Sequence, residues 1–399
     1  MTKHVDEIVK DLVNGDLHKY WPGFESVAYA LYDKQNVYLF NHPRMTNNKP
    51  NNYQVLKWNE QFNGCTLILY DDCPTAIVDL ELYDDYASLY SILIHELFHG
   101  FQYIKGEKRF ADEIMGITYP LLKENIELRN QERAHLFSAM LEKNVSKKKQ
   151  HLTIFIALRD KRAAIINEHL LYENFIETIE GPALYVELKA FSEKSPISYK
   201  SALKTYGQPL LDKYFSTTNI RRSCYSSGLV MCLLLDEFSP GWKESFWNKE
   251  ESLYDLLKQL SDDMVKINAL EITPETKEVI NFAKQNKKNE FENFEQQKGI
   301  HLIIEGEMIV KSFDPMNVVS FEKRLLHKSF IKVSINNENY LVRQPAIAHC
   351  KSGLRNIQKL HIILNSEPIE RKDSIIIDGI GVLKGRYKKK ENVMHLYVD

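Results

Sequence analysis

The segment running from Asp84 to Lys105, DDYASLYSILIHELFHGFQYIK, places two histidines four residues apart in a stretch that is apolar on nearly every side. It holds no proline, and its only glycine is Gly100. The pattern predicts one helix with His95 and His99 stacked a turn apart on one face. Paired imidazoles in such an apolar helix are costly unless something satisfies them. The residues His95-Glu96-Leu97-Phe98-His99 form an HExxH arrangement, whose two imidazoles reach one Zn2+ while the intervening glutamate reaches a water on it. His95 and His99 are therefore expected as metal ligands, Zn2+ as cofactor and Glu96 as general base.

A catalytic zinc site takes three protein ligands and leaves its fourth position open. After His99 the chain reads GFQYIKGEKRF, without a histidine, so the third ligand is expected to be a glutamate. Two helical segments offer one: Glu132 in NIELRNQERAHL, with Glu124 and Glu127 before it, and Glu180 in IEGPALYVE. Glu187 follows Glu180 by seven positions and shares its helical face, so it suits either orienting a ligand from behind or an ordinary place on the surface. Arg221 and Arg222, close before Tyr225, suit either a substrate carboxylate or an ion pair. His135, His151 and His169 stand singly on helices and are expected to be exposed or hydrogen-bonded.

Three short elements, in this order, resemble those of gluzincin metallopeptidases. They are HELFH at His95–His99, the EGxAxY-like Glu180-Gly181-Pro182-Ala183-Leu184-Tyr185, and the YxxG-like Tyr225-Ser226-Ser227-Gly228. The resemblance is to the aminopeptidase/leukotriene-hydrolase branch, and it covers His95 to Gly228. It implies a zincin-like catalytic domain, a small sheet plus helices carrying HExxH, with Glu180 as third zinc ligand. It also implies that Tyr225 donates to the oxyanion of a tetrahedral intermediate, a role a neutral phenol can fill. The implied activity is that of a zinc metallopeptidase acting on a peptide or protein substrate. The chain departs from the branch in three ways. Glu180 lies 81 positions after His99, a gap that reads as an inserted helical hairpin. Pro182 must open a helix or kink one. No GAMEN sequence is present, so exopeptidase specificity does not carry over. A zinc-bound but non-catalytic regulatory protein, or a non-peptidase zinc hydrolase, uses the same residues.

The remaining expectations concern organisation. Lys+Arg at 52 against Asp+Glu at 54 gives a formal charge of −2 over 399 residues, which gives no reason to expect a nucleic-acid partner. No apolar run is long enough for a membrane span, and the N-terminus lacks a signal-like apolar core, so a cytoplasmic location is expected. Five cysteines without CxxC spacing read as free thiols. The overall class is α+β. Residues 1–299 are expected to form the zincin-like metallohydrolase domain, strand-rich over 24–83 and helical over 84–299. Residues 300–399 are expected to form an all-β, antiparallel domain. TAIVDLELY is expected as an exposed edge strand, MTNNKPNNY as a polar loop and Lys147–Lys149 as a solvated interhelical loop. Helices are expected over Pro120–Lys143, Leu152–Ile179, Ala183–Ser192, Tyr225–Phe238 and Glu250–Gln297. Oligomeric state is not legible.

Overall fold

β-Branched and aromatic residues after Phe24 pair into a five-stranded sheet: β1 (Ala28–Tyr32), β2 (Asn36–Phe40), β3 (Tyr53–Lys57), β4 (Thr66–Tyr70) and β5 (Cys73–Asp79). The order is β3-β2-β1-β5-β4, with β1 and β5 parallel and every other pair antiparallel. These coordinates are a computed structural model that describes residues 2–45, 53–261, 265, 267 and 270–398. The loop expected at MTNNKPNNY lies almost wholly outside the described residues. The β4–β5 hairpin turns on Asp71 and Asp72, both at positive φ (47° and 62°), a conformation that short polar side chains tolerate. That turn places β4 outside β5. The segment TAIVDLELY is therefore not an edge: its strand is paired on both sides, and β3 and β4 are the edges.

The helices are α1 (Thr2–Asn14), α2 (Tyr86–Ile104), α3 (Glu113–Ile117), α4 (Lys123–Leu141), α5 (Val145–Ile166), α6 (Glu168–Lys194), α7 (Tyr199–Gly207), α8 (Lys213–Thr218), α9 (Ile220–Phe238), α10 (Trp242–Ser245), α11 (Leu253–Lys258) and α12 (Pro274–Glu295). By its contacts the chain divides into two units, Met1–Ala111 with Glu124–Glu271 and Asp112–Lys123 with Ile272–Asp399. In the first, α2 packs on β4, β5 and α6, and α6 packs on α9. Asp85 caps α2 by accepting from the Ser88 N–H at 2.9 Å. Trp21 centres the core, its ring meeting those of Phe98, Tyr185 and Trp242 edge-on at 5.2–6.0 Å between centroids.

Two local expectations fail in instructive ways. The helix expected to end at Ile179 and restart at Ala183 is one continuous α6, with Pro182 inside it. The proline is tolerated because α6 is packed between α2 and α9, whose contacts offset its local cost. The Lys147–Lys149 cluster is not a loop but the first turn of α5, where Asn144 caps the Lys147 N–H at 3.1 Å. Lys148 is buried there and paired with Glu237.

The second unit holds α3, α12 and β6 (Ile300–Phe313), β7 (Val318–Phe321), β8 (Arg324–His327), β9 (Ile331–Ile335), β10 (Glu338–Val342), β11 (Ala346–Ser352), β12 (Asn356–Leu364), β13 (Ile369–Arg371), β14 (Ser374–Ile377), β15 (Gly381–Lys384), β16 (Arg386–Lys390) and β17 (Val393–Tyr397). The main sheet runs β10-β9-β6-β12-β11-β8-β7, with β17 also on β6 and β16 on β17; β13-β14-β15 form a separate small sheet. Residues after 299 are thus all-β, but not purely antiparallel, because β17 runs parallel to β6. The division between units falls at Glu271/Ile272 rather than at 299/300. The reason is that α12 buries Phe291 and Phe294 among Leu326, Ile347 and Ile363 of the strands. The helix expected over Glu250–Gln297 is likewise two helices, α11 and α12, with described residues 270–273 outside either. The whole is mixed α+β, and no described helix is long and apolar enough to cross a membrane.

Candidate metal centre

Helical periodicity does on α2 what the spacing requires. His95 and His99 project from the same face with their Nε2 atoms 3.0 Å apart. Both converge on one oxygen of α6: Glu180 Oε2 lies 3.5 Å from His95 Nε2 and 3.3 Å from His99 Nε2. The three ligand atoms fall within 4.8 Å of one another, and this is the only such group of three or more found among the described residues. It could hold a metal ion.

The outward-facing nitrogens are committed. His95 Nδ1 lies 2.8 Å from Glu187 Oε2, which takes the orienting role of the two open to that glutamate. Tyr206 donates to the other Glu187 oxygen at 2.9 Å. His99 Nδ1 donates to Gln102 Oε1 at 2.7 Å, and the Gln102 amide group donates in turn to the Ile179 carbonyl. Acceptors on both Nδ1 atoms hold protons there, so a metal that displaces the Nε2 protons meets both lone pairs turned inward. Gln102 was missed by the sequence reading. Its signal was an amide three positions after His99, on the ligand face of an otherwise apolar helix.

Glycine sets the approach of α9. A Cβ at Gly181 would stand 2.6 Å from the Gly228 backbone, and one at Gly228 would stand 2.5 Å from the Glu177 carbonyl oxygen. The glycines of the two short motifs therefore meet where α6 and α9 cross. That crossing brings Tyr225, in the second turn of α9 rather than at its start, over the centre. Its ring stacks on that of His95 at 6.3 Å and 20°. Arg221, one turn earlier, donates through both terminal nitrogens to Glu180 Oε1 at 3.1 Å and to the Tyr225 oxygen at 2.5 Å. Of the two roles open to Arg221, the structure gives the ion pair.

Charge is distributed unevenly. Burial acts against the ionised form of every group here, but the carboxylates of Glu180 and Glu187 outweigh it at His95 and hold that imidazole well above its usual pKa. At Glu180 burial is outweighed by His99 and His95, which keep the carboxyl well below its usual range. Glu96 is different. Burial raises its carboxyl, His95 and His99 only partly offset this, and its side chain makes no hydrogen bond among the described residues. Burial, with Glu180 beside it, also raises the Tyr225 phenol, which stays neutral.

Glu132, the other candidate ligand, is elsewhere. It accepts from Arg159 at 3.0 Å and from Arg162 at 2.5 Å, with all three side chains fully buried. Glu173 and Glu177 of α6 extend the network, Glu173 to Arg129 at 2.9 Å and Glu177 to Arg159 at 2.5 Å. His135 and His151 are hydrogen-bonded to each other, their Nδ1 atoms 3.0 Å apart. All five cysteines are free. No protein-family profile, curated protein sequence or solved structure matches this chain.

Proposed function

We propose that this chain is a gluzincin-like zinc metallopeptidase whose first unit is a zincin-like catalytic domain. The observation that carries the reading is the convergence of His95 Nε2, His99 Nε2 and Glu180 Oε2 with both Nδ1 atoms held by acceptors. Two imidazoles and one carboxylate, three ligands in all, suit Zn2+ with a position left open. When bound, the ion supplies Lewis acidity and a water of lowered pKa.

The chain's own groups do the rest. Glu96 takes a proton from the attacking water and returns it to the leaving amine; the burial that raises its carboxyl suits it to both tasks. Tyr225 donates its phenolic hydrogen to the oxyanion that forms on the scissile carbonyl. Arg221 donates to the phenolic oxygen and so leaves that hydrogen for the substrate. An extended peptide adds along the free edge of β4, the strand that packs beside α2.

The test joins elemental mass spectrometry to a peptide-library assay. Wild type and Glu132→Ala should carry about one zinc per chain if folded, and Glu180→Ala should lose it. Glu96→Gln should keep the metal and lose turnover about a hundredfold to ten-thousandfold. Zinc without cleavage in wild type would instead favour a regulatory module. Absence of zinc even after it is added back would end the metal assignment.

A further inference from the structure

The second unit contains a cavity of about 460 Å3, bounded by residues around α3, by α12 and by the turn between β7 and β8. That volume is within the range of small-molecule sites. Lys284 and Lys287 both line it, three positions apart on α12 and so neighbours on one helical face. Lys284 is exposed and Lys287 half-buried. The Lys287 amine is withdrawn from water, which lowers its pKa, and no charged neighbour offsets the effect. It makes no ion pair or hydrogen bond among the described residues. Glu322 lines the same cavity from the β7–β8 turn, where φ is 57°, yet pairs with neither lysine. Tyr119 and Phe321 supply aromatic wall.

A half-buried ammonium that no carboxylate pairs gains from loss of its proton or from arrival of an anion. A second lysine one turn away favours the anion, since two amines in one recess attract an oxyanion more than either alone. We propose that this cavity binds a small oxyanion-bearing molecule, a carboxylate or phosphate, with its charge at Lys284 and Lys287 and its organic part against Tyr119 and Phe321. The site is separate from the metal centre and does not depend on the hydrolase reading.

The experiment uses the full chain and three probes: inorganic phosphate, phenyl phosphate and benzoate. Calorimetric titration measures binding, and mass spectrometry measures how far each probe shields Lys287 from amine acylation. At least one probe should bind and shield Lys287. Lys287→Gln should weaken that binding about tenfold or more, whereas Glu322→Gln should strengthen it by removing a like charge. Failure of all three probes to bind at millimolar concentration would overturn the proposal. So would undiminished binding to Lys287→Gln. If the glutamine variant loses its native circular dichroism, Lys284→Gln at the exposed lysine decides, because weakened binding in that folded variant supports the site and undiminished binding rejects it.

Discussion

Gln102 links two features that look unrelated in the sequence, an imidazole of α2 and a backbone carbonyl of α6. Its oxygen fixes the His99 proton at Nδ1, and its nitrogen donates to the Ile179 carbonyl. The two functions can be separated. Gln102→Leu removes both and should weaken zinc binding about tenfold or more, as loss of a ligand's supporting hydrogen bond commonly does. Gln102→Glu keeps the acceptor but not the donor, so it should largely retain zinc affinity while lowering stability. Chelator competition on the two variants measures the first effect and thermal melts the second. Equal zinc affinity in wild type and the leucine variant would show that His99 needs no fixing. His95, His99 and Glu187 were legible because helical spacing is local and their geometry follows from it. Glu180 became legible only through the order of motifs, since 81 positions separate it from His99 and no local rule spans that distance.

At the scale of elements, α6 holds its place by contact with α9 and by buried charge. Gly228→Ala would drive a Cβ to within 2.5 Å of the Glu177 carbonyl oxygen, backbone that cannot yield cheaply. It should cost about 1–3 kcal/mol and displace Tyr225 and Arg221 from Glu180. Denaturant melts and zinc content check both parts; an alanine variant as stable as wild type would refute the close crossing. The network beneath α6 makes a second demand. Arg159 is fully buried against Glu132 and Glu177, so Arg159→Met leaves two carboxylates short of a partner and should cost about 3–5 kcal/mol. None of this was visible beforehand. Glu132 looked like a ligand because a helical glutamate in a charged segment gives no sign of facing inward. The continuity of α6 was hidden too, because the cost of an interior proline is a local quantity and the packing that offsets it comes from α2 and α9. Short apolar alternation after Gly299, by contrast, announced strands reliably, while the membership of α12 depended on where Phe291 and Phe294 are buried.

The two units also differ as whole bodies in how they should meet acid. The second unit buries His327 and His361, and burial pushes both imidazoles down to about 4, His301 adding to the effect at His361. Neither ring nitrogen of His327 has a hydrogen-bond partner among the described residues. In the unfolded chain both histidines titrate near their ordinary value, about 6.5. Their folded pKa values are lower, so the unfolded state binds more protons between the two values. Stability is complete above about pH 6.5 and falls as pH drops toward 4, by roughly 3 kcal/mol for each histidine. The four tryptophans, Trp21, Trp58, Trp242 and Trp247, all belong to the first unit, so their emission reports that unit, while far-ultraviolet circular dichroism reports both. Lowering the pH from 7 to about 5 should therefore bring forward a dichroism transition ahead of the tryptophan transition. His327→Phe should reverse part of that shift, and at neutral pH it should add about 1 kcal/mol by removing two unpaired buried nitrogens. If the acid shift persists in full in His327→Phe, or if the substitution moves the tryptophan transition equally, protonation of His327 is not what loosens the second unit.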